Sequence, residues 1–150
     1  MFIKFDIMSP ERMELQDKNG DLCFYCEYNK KEEWIYNCWI GTISDNIVKK
    51  GGGINLELIE KFGCKYILND NRLLIGNWSD SNDWIENEYI PNAISLGLRY
   101  IAHVFSPKFI TKFSAVDLSS RDLPLTFKTF DNISSAQSWL REMRESDSEF

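Results

Sequence analysis

The sequence lacks the features that mark most enzymes and nucleic-acid-binding proteins. It has one histidine with no serine or cysteine near it as a nucleophile, and no Gly-Lys-Ser/Thr follows its glycine run. Positive charge is also scarce, since 17 lysines and arginines stand against 23 aspartates and glutamates, and the net charge of −6 opposes attraction to nucleic acid or anionic lipid. The sequence therefore predicts a protein that is not an enzyme, has no cofactor and binds no nucleic acid.

Long apolar runs and a complete set of metal ligands are absent as well. The first eleven residues, MFIKFDIMSPE, are interrupted by an acid and a proline, so they predict neither a signal peptide nor a membrane span. One histidine and no second Cys-x-x-Cys leave a zinc site without enough ligands. We therefore expect a cytoplasmic protein with no metal and with buried free thiols at its four cysteines, Cys23, Cys26, Cys38 and Cys64.

Apolar and aromatic residues, by contrast, are plentiful. At 43% hydrophobic and 14% aromatic over 150 residues, the chain suits one domain over residues 1–150 with its core at about 12–143. Polar turns separate three β-rich runs, which predicts an antiparallel meander of strands at 13–18, 22–28 and 34–40. An edge strand at 13–18 would have unpaired backbone groups through which a homodimer could form.

Helix signals alternate with strand signals in the rest of the chain. Ser44 and Asp45 start a helix that we expect the three glycines 51–53 to break, because each costs about 1 kcal/mol relative to alanine. A phosphate-binding loop is the weaker interpretation, since the lysines precede these glycines.

The second half of the chain predicts two further βα units. A strand at 65–68 is followed by a helix that begins near Asp80, is interrupted at Pro91 and ends at Gly97. A strand at 98–105, a helical segment at 106–113, a strand at 125–130 and a final helix after 131–134 complete the order. The predicted fold is α/β, an N-terminal β-meander followed by βαβ units that form a central mixed sheet with packed helices.

If the later strands are parallel, their carboxyl ends meet at one edge, where open α/β sheets bind ligands. We expect a rim there, in which Arg72 would bind an anion and Trp78 would supply an aromatic wall. The rim is formed by Asp70, Asn71, Arg72, Trp78 and Ser106. The alternative is that Asp70 and Arg72 order a loop, Asp70 by accepting backbone amides and Arg72 by pairing across the turn.

Two other groups have a functional and a structural interpretation. Ser79 and Ser81 precede a helix, where a phosphate would meet free amides, but serine is also a preferred helix cap. His103 lies in the apolar run YIAHVF, which favours a hydrogen-bonded core imidazole over a general base.

The pattern of several segments resembles the bacterial STAS-like family, and more narrowly its SpoIIAA-like branch. The matching residues are LNDNR at 68–72, GNW at 76–78, WI at 84–85, IP at 90–91, GL at 97–98, IAHV at 101–104, FD at 130–131, and Ala136, Trp139 and Leu140. The resemblance covers about residues 12–143. It implies a module without enzymatic activity that binds proteins or small ligands, in some relatives under control of a phosphorylated serine.

We therefore expect a regulatory or adaptor module that acts through protein–protein contacts, with a protein partner. The second hypothesis is a carrier of a small apolar or anionic ligand, or of a lipid, with a pocket between the kinked helix at 80–97 and the sheet.

Overall fold

The computed structural model describes residues 4–9, for which only the backbone path is given, and residues 11–76, 78–105 and 116–148. Seven strands form one sheet in the order of the sequence. They are β1 (Lys4–Ser9), β2 (Arg12–Gln16), β3 (Leu22–Asn29), β4 (Trp34–Thr42), β5 (Tyr66–Ile75), β6 (Tyr100–Val104) and β7 (Thr126–Phe130). Neighbours are antiparallel from β1 to β4 and parallel from β4 to β7. This confirms the predicted α/β fold with a mixed sheet.

The meander is held by tight polar turns, as the sequence predicts. Between β2 and β3, the carboxylate of Asp17 accepts the backbone N–H groups of Asn19 and Asp21 at 2.8 and 3.1 Å, and Gly20 adopts a φ of 82°. One element was not predicted, since β1 lies on the outer side of β2. The strand expected at the sheet edge is therefore paired on both sides.

The first helix, α1 (Asp45–Phe62), has well-defined ends. Ser44 Oγ accepts the N–H of Ile47 at 3.2 Å, and Gly63 ends the helix in the left-handed region at φ 58°. The expected break at the three glycines is wrong, because α1 is continuous through them. Two of these glycines leave room for tryptophan rings that pack against the helix.

The second helical segment, α2, covers residues 79–95 in several geometries. A 3-10 turn (Ser79–Ser81) and one α-helical turn (Asn82–Trp84) lead into a π-helical turn (Ile85–Tyr89) and an α-helix (Ile90–Ser95). The π-helical turn lies just before Pro91, which has no N–H to continue the α-helical pattern, so the predicted interruption is confirmed. Gly97, at φ 117°, ends the segment.

The last helix, α3 (Ile133–Ser148), begins after Asn132, whose Oδ1 accepts the N–H of Ser135 at 2.8 Å. It packs on one face of the sheet through a cluster formed by Trp34, Tyr66, Leu68, Ala102, Val104, Ala136, Trp139 and Leu140. Glu32 holds it from the β3–β4 turn through Arg141 and Arg144.

Helices α1 and α2 cover the opposite face and bury the larger core. Right-handed crossovers between strands that are added in one direction place their helices on the same face, which accounts for this shared side. Alternation along the strands separates the two faces, so Ile35, Ile67 and Ile101 contact the α1 side. None of the described helices is long and apolar enough to cross a membrane.

Strand β5 is longer than predicted. The polar residues 69–72, expected to follow the strand as a loop, lie inside it, and β4 pairs with it as far as Ile75. The predicted helical segment at 106–113 lies outside the described residues, and residues 116–119 form a helical turn. The four cysteines are free and buried, as predicted.

Candidate functional site

A cavity lies between the sheet and the two helices α1 and α2. It is partly open to solvent, and about 630 Å³ of space not filled by atoms lies in the cavity and at its mouth. Strands β4 to β7 form its floor, and the helical turn at 116–119 contributes Leu118. The lining residues are Asn37, Trp39, Ile43, Val48, Gly52, Asn55, Ile67, Asn69, Asn71, Leu74, Trp78, Trp84, Ile85, Tyr89, Ile101, His103, Leu118 and Phe127.

The floor carries a row of polar side chains on an otherwise apolar sheet face. Asn37 on β4 is the register partner of Asn69 on β5, and Asn69 is the partner of His103 on β6. Asn37 and His103 are 4% and 1% exposed. Burying such groups costs free energy unless they form hydrogen bonds, so the partner of each polar group matters for stability.

Trp39 determines the tautomer of His103 through Asn69. The indole Nε1–H can only donate, and it donates to Asn69 Oδ1 at 2.9 Å. The amide Nδ2 of Asn69 therefore faces His103 Nδ1, at 3.0 Å, and donates to it. A neutral imidazole that accepts at Nδ1 carries its proton on Nε2.

His103 is neutral at pH 7 because of its burial, which lowers its pKa to about 4. Its ring lies between Trp78 and Phe127, with centroid separations of 5.8 and 5.5 Å. The prediction of a hydrogen-bonded core imidazole is confirmed. Since no described lining residue is Asp, Glu, Lys or Arg, the lining carries no formal charge.

A second hydrogen-bonded chain descends from the helices to the floor. The hydroxyl of Tyr89 in α2 donates to Asn55 Oδ1, and Asn55 Nδ2 in α1 donates to Asn37 Oδ1 at 2.7 Å. This chain therefore ends at Asn37, whose Nδ2 is an N–H donor among the residues that line the cavity.

Asn71 lies on the cavity side of β5 with Ile67 and Asn69 by ordinary alternation, and a β-bulge beyond it brings Leu74 to the same side. Cys38 pairs with Asp70, but Ile40 pairs with Leu73, so β5 has one extra residue between these pairs. The bulge changes the alternation of the strand, and Asn71 and Leu74 both line the cavity although they are three positions apart. Asn71 Nδ2 lies 3.4 Å from His103 Nε2, and Asn71 Oδ1 lies 3.5 Å from Asn69 Nδ2.

Tryptophans form the walls, and two glycines of α1 make room for them. A Cβ on Gly51 would lie 2.5 Å from Cη2 of Trp39, and one on Gly52 would lie 2.7 Å from Cη2 of Trp84. Both distances are too short for non-bonded carbon atoms. These glycines therefore allow the two rings to approach the helix, whereas Gly53 has no neighbouring atom within 4 Å of such a Cβ.

The four predicted rim residues that the structure describes are divided between two places. Asn71 and Trp78 line the cavity, whereas Asp70 bonds to Arg72 and to Tyr36. The Arg72 guanidinium contacts both carboxylate oxygens of Asp70, at 3.0 and 2.8 Å, and its backbone N–H also reaches Oδ1. Asp70 thus accepts the backbone amide and the guanidinium of Arg72, as in the structural alternative, but both residues lie within β5 and not in the loop that this alternative assumed.

The electrostatics of Asp70 follow from these contacts. Burial alone would raise the pKa of Asp70, but hydrogen bonds from Arg72 and Tyr36 outweigh burial and lower it. Burial and the neighbouring Asp70 carboxylate raise the pKa of Tyr36. The result is a bound carboxylate whose charge is neutralised by Arg72.

The predicted phosphorylation sites differ in their surroundings. Ser81 is buried and its hydroxyl donates to Asp45 Oδ1 at 2.8 Å, so a phosphate there would be repelled by that carboxylate. Ser79 is half-buried at the start of α2, where phosphorylation stays a prediction. Ser106 lies outside the described residues.

Sequence reasoning missed Asn37, Asn55, Asn69 and Tyr89 as members of a site. Each of them is a single polar residue inside an apolar segment, which is usually a core residue. The signal that could have identified the site is that these residues align with one another across neighbouring strands and helices. Among the described residues, no group of three or more His, Cys, Asp or Glu is arranged to hold a metal ion.

The chain matches no known family model, and no curated protein or solved structure is significantly similar to it.

Proposed function

We propose that the protein binds a small, neutral, partly aromatic molecule in the cavity between α1, α2 and the sheet. The observation that carries this proposal is the polar row on the floor of a partly open, tryptophan-walled cavity. Binding pockets typically combine an apolar lining with a few placed polar groups. A sheet face built only for packing would gain stability from apolar residues at these positions.

The absence of charge among the described lining residues selects for a neutral ligand. An ion entering the cavity would lose its hydration and would meet no opposite charge there, which costs several kcal/mol. Asp70 and Arg72, the charged residues closest in sequence to Asn71, already bond to each other. This favours a neutral ligand over the anionic one that the sequence also suggested.

The walls favour a flat ligand. Trp39, Trp78 and Trp84 line the cavity together with Phe127 and Tyr89, and aromatic side chains stack on planar molecules. The π-helical turn of α2 forms part of the wall, and such turns are frequent at functional sites.

Extraction of the purified protein tests this function. The protein is purified from cells, denatured in organic solvent, and the released small molecules are identified by mass spectrometry. Val48→Phe places a ring in the cavity from α1, and Leu56→Phe enlarges a half-buried residue of the same helix that does not line the cavity. We expect the wild type and Leu56→Phe to release a neutral molecule in an amount close to one mole per mole of protein. We expect Val48→Phe to release none.

A negative result would contradict the proposed ligand binding. If all three proteins release no small molecule, and neutral aromatic probes at millimolar concentration leave the melting temperature unchanged, the ligand-binding proposal is wrong.

A second candidate function is the adaptor role. It is supported by Leu73 and Ile75, which are 58% and 56% exposed beyond Arg72 on β5. Exposed apolar side chains of this kind favour a protein contact. The adaptor role predicts a partner that is recovered at fixed stoichiometry from cell extract and lost with Leu73→Asp, while Val116→Asp, at another exposed apolar residue, leaves it bound.

A further inference from the structure

The geometry points to a carbonyl compound as the ligand, with its oxygen accepting hydrogen bonds from both His103 Nε2–H and Asn71 Nδ2. This inference rests on the proposed function and names the chemical group that the cavity recognises. It begins from two donors that lie 3.4 Å apart and cannot bond to each other.

The orientation of both donors follows from their neighbours. Trp39 fixes Asn69, and Asn69 fixes the proton of His103 on Nε2, as derived above. Asn69 Nδ2 has a second hydrogen, and Asn71 Oδ1 is its acceptor at 3.5 Å. In the structure, Oδ1 of Asn71 therefore lies toward Asn69, and Nδ2 of Asn71 lies beside the imidazole N–H.

Two buried donors with no acceptor between them are costly. His103 and Asn71 are 1% and 3% exposed, and a buried N–H without an acceptor destabilises the protein because it has lost its bond to water. A single oxygen placed between them satisfies both. A carbonyl oxygen has two lone pairs and can accept two hydrogen bonds, whereas a hydroxyl would add a donor to a site that already has two.

The surroundings decide between a ketone-type oxygen and a carboxylate. The described lining has no cation to balance a carboxylate. Trp78 and Phe127, on either side of the imidazole, provide flat surfaces for the body of the ligand. An aromatic or conjugated carbonyl compound has an oxygen that can accept both hydrogen bonds, carries no charge and is flat.

Three probes with one phenyl ring separate these possibilities. Acetophenone has a neutral carbonyl, α-methylstyrene replaces its oxygen by CH₂ in the same planar shape, and benzoate carries a charge. Dissociation constants are measured by calorimetry. Water solvates the carbonyl group better than the alkene, which weakens the binding of acetophenone for a reason unrelated to the cavity. We therefore compare the ratio of the two dissociation constants between the wild type and its variants.

Asn71→Leu removes one donor at nearly constant volume, and Asn46→Leu makes the same substitution at an exposed residue of α1 that does not line the cavity. We expect the preference for acetophenone over α-methylstyrene to fall about tenfold in Asn71→Leu and to stay unchanged in Asn46→Leu. In the wild type, acetophenone but not α-methylstyrene should shift the Nε2–H resonance of the single histidine.

Every other outcome contradicts either the proposed function or the carbonyl assignment. If neither neutral probe binds the wild type, the cavity is not a binding site and the proposed function falls with the inference. If both bind but the ratio is the same in Asn71→Leu, or if benzoate binds best, the function stands and the carbonyl assignment is wrong. Should Asn71→Leu fail to fold, the wild-type spectrum decides, since a proton on Nδ1 or an unshifted Nε2–H with bound acetophenone overturns the assignment.

Discussion

Three consecutive glycines in α1 provide a matched set of substitutions. They share one helix and one backbone geometry, but they differ in what a side chain would meet. Replacing Gly53 by alanine places a methyl group where no atom lies within 4 Å. We expect Gly53→Ala to raise the free energy of unfolding by about 1 kcal/mol, because alanine is the better helix former.

Gly51→Ala brings the same gain in helix propensity and adds a steric conflict. Its Cβ would lie 2.5 Å from Cη2 and 2.9 Å from Cζ3 of Trp39. That ring cannot easily move, since it packs on Phe24 with a centroid separation of 4.2 Å and donates to Asn69. Overpacking of this kind costs about 1 to 3 kcal/mol.

The comparison of Gly51→Ala with Gly53→Ala isolates the steric cost, because the helix contribution is common to both. We expect Gly51→Ala to be less stable than Gly53→Ala by about 1 to 3 kcal/mol. Gly52→Ala should fall between them. Its conflict is with Trp84, a half-buried ring of α2 at 2.7 Å that can shift outward.

Urea unfolding followed by far-ultraviolet circular dichroism measures these differences. Tryptophan fluorescence is less suitable, because the substitutions act on tryptophans directly. An unchanged m value would show that the native and unfolded ensembles stay comparable. If Gly51→Ala is as stable as Gly53→Ala, Trp39 does not require the glycine, and the explanation of the continuous helix is refuted.

Three further predictions concern the polar groups. His103 has a pKa of about 4 when folded and an ordinary value near 6.5 when unfolded, so its neutral form stabilises the fold above pH 6.5. About 3 kcal/mol of that stability should be lost between pH 6.5 and 4, and a His103→Gln protein with the same pH profile would contradict this. Arg72→Ala should raise the pKa of Asp70 and cost about 1 to 2 kcal/mol at neutral pH, since only Tyr36 and the backbone N–H of residue 72 then bond the buried carboxylate. Carbon-13 NMR of the carboxyl group measures the pKa, and an unchanged value would refute the assigned cause. Trp39→Phe frees the Asn69 amide to turn over, so nitrogen-15 NMR should find both neutral tautomers of His103, whereas Nε2–H alone would show that another group fixes it.

Local signals were enough for much of the fold. The helix start at Ser44 and the cap at Asn132 depend on residues within one turn of each other, which is why the sequence predicts them. The turns of the meander are equally local. The order of strands and helices then selects a mixed sheet, because βαβ units require parallel neighbours.

The prediction failed where distant partners override local composition. Residues 69–72 are four polar residues in succession and resemble a turn, yet they continue β5. Tyr36 binds Asp70, and Trp39 binds Asn69, from a strand that lies about thirty residues earlier. The glycines of α1 present the same problem, since their tryptophan neighbours come from β4 and α2.

The polar row shows how such a site can be recognised before a structure exists. A lone asparagine or histidine in an apolar strand is usually a satisfied core residue, and each of Asn37, Asn69 and His103 has that ordinary interpretation alone. Parallel neighbours without offset turn three isolated positions into one continuous line across a sheet face. Asn55 reaches the same line from α1, so the floor and the covering helix are polar at the same place. A face built only for packing would bury apolar groups there, and this coincidence across four elements favours ligand binding over packing.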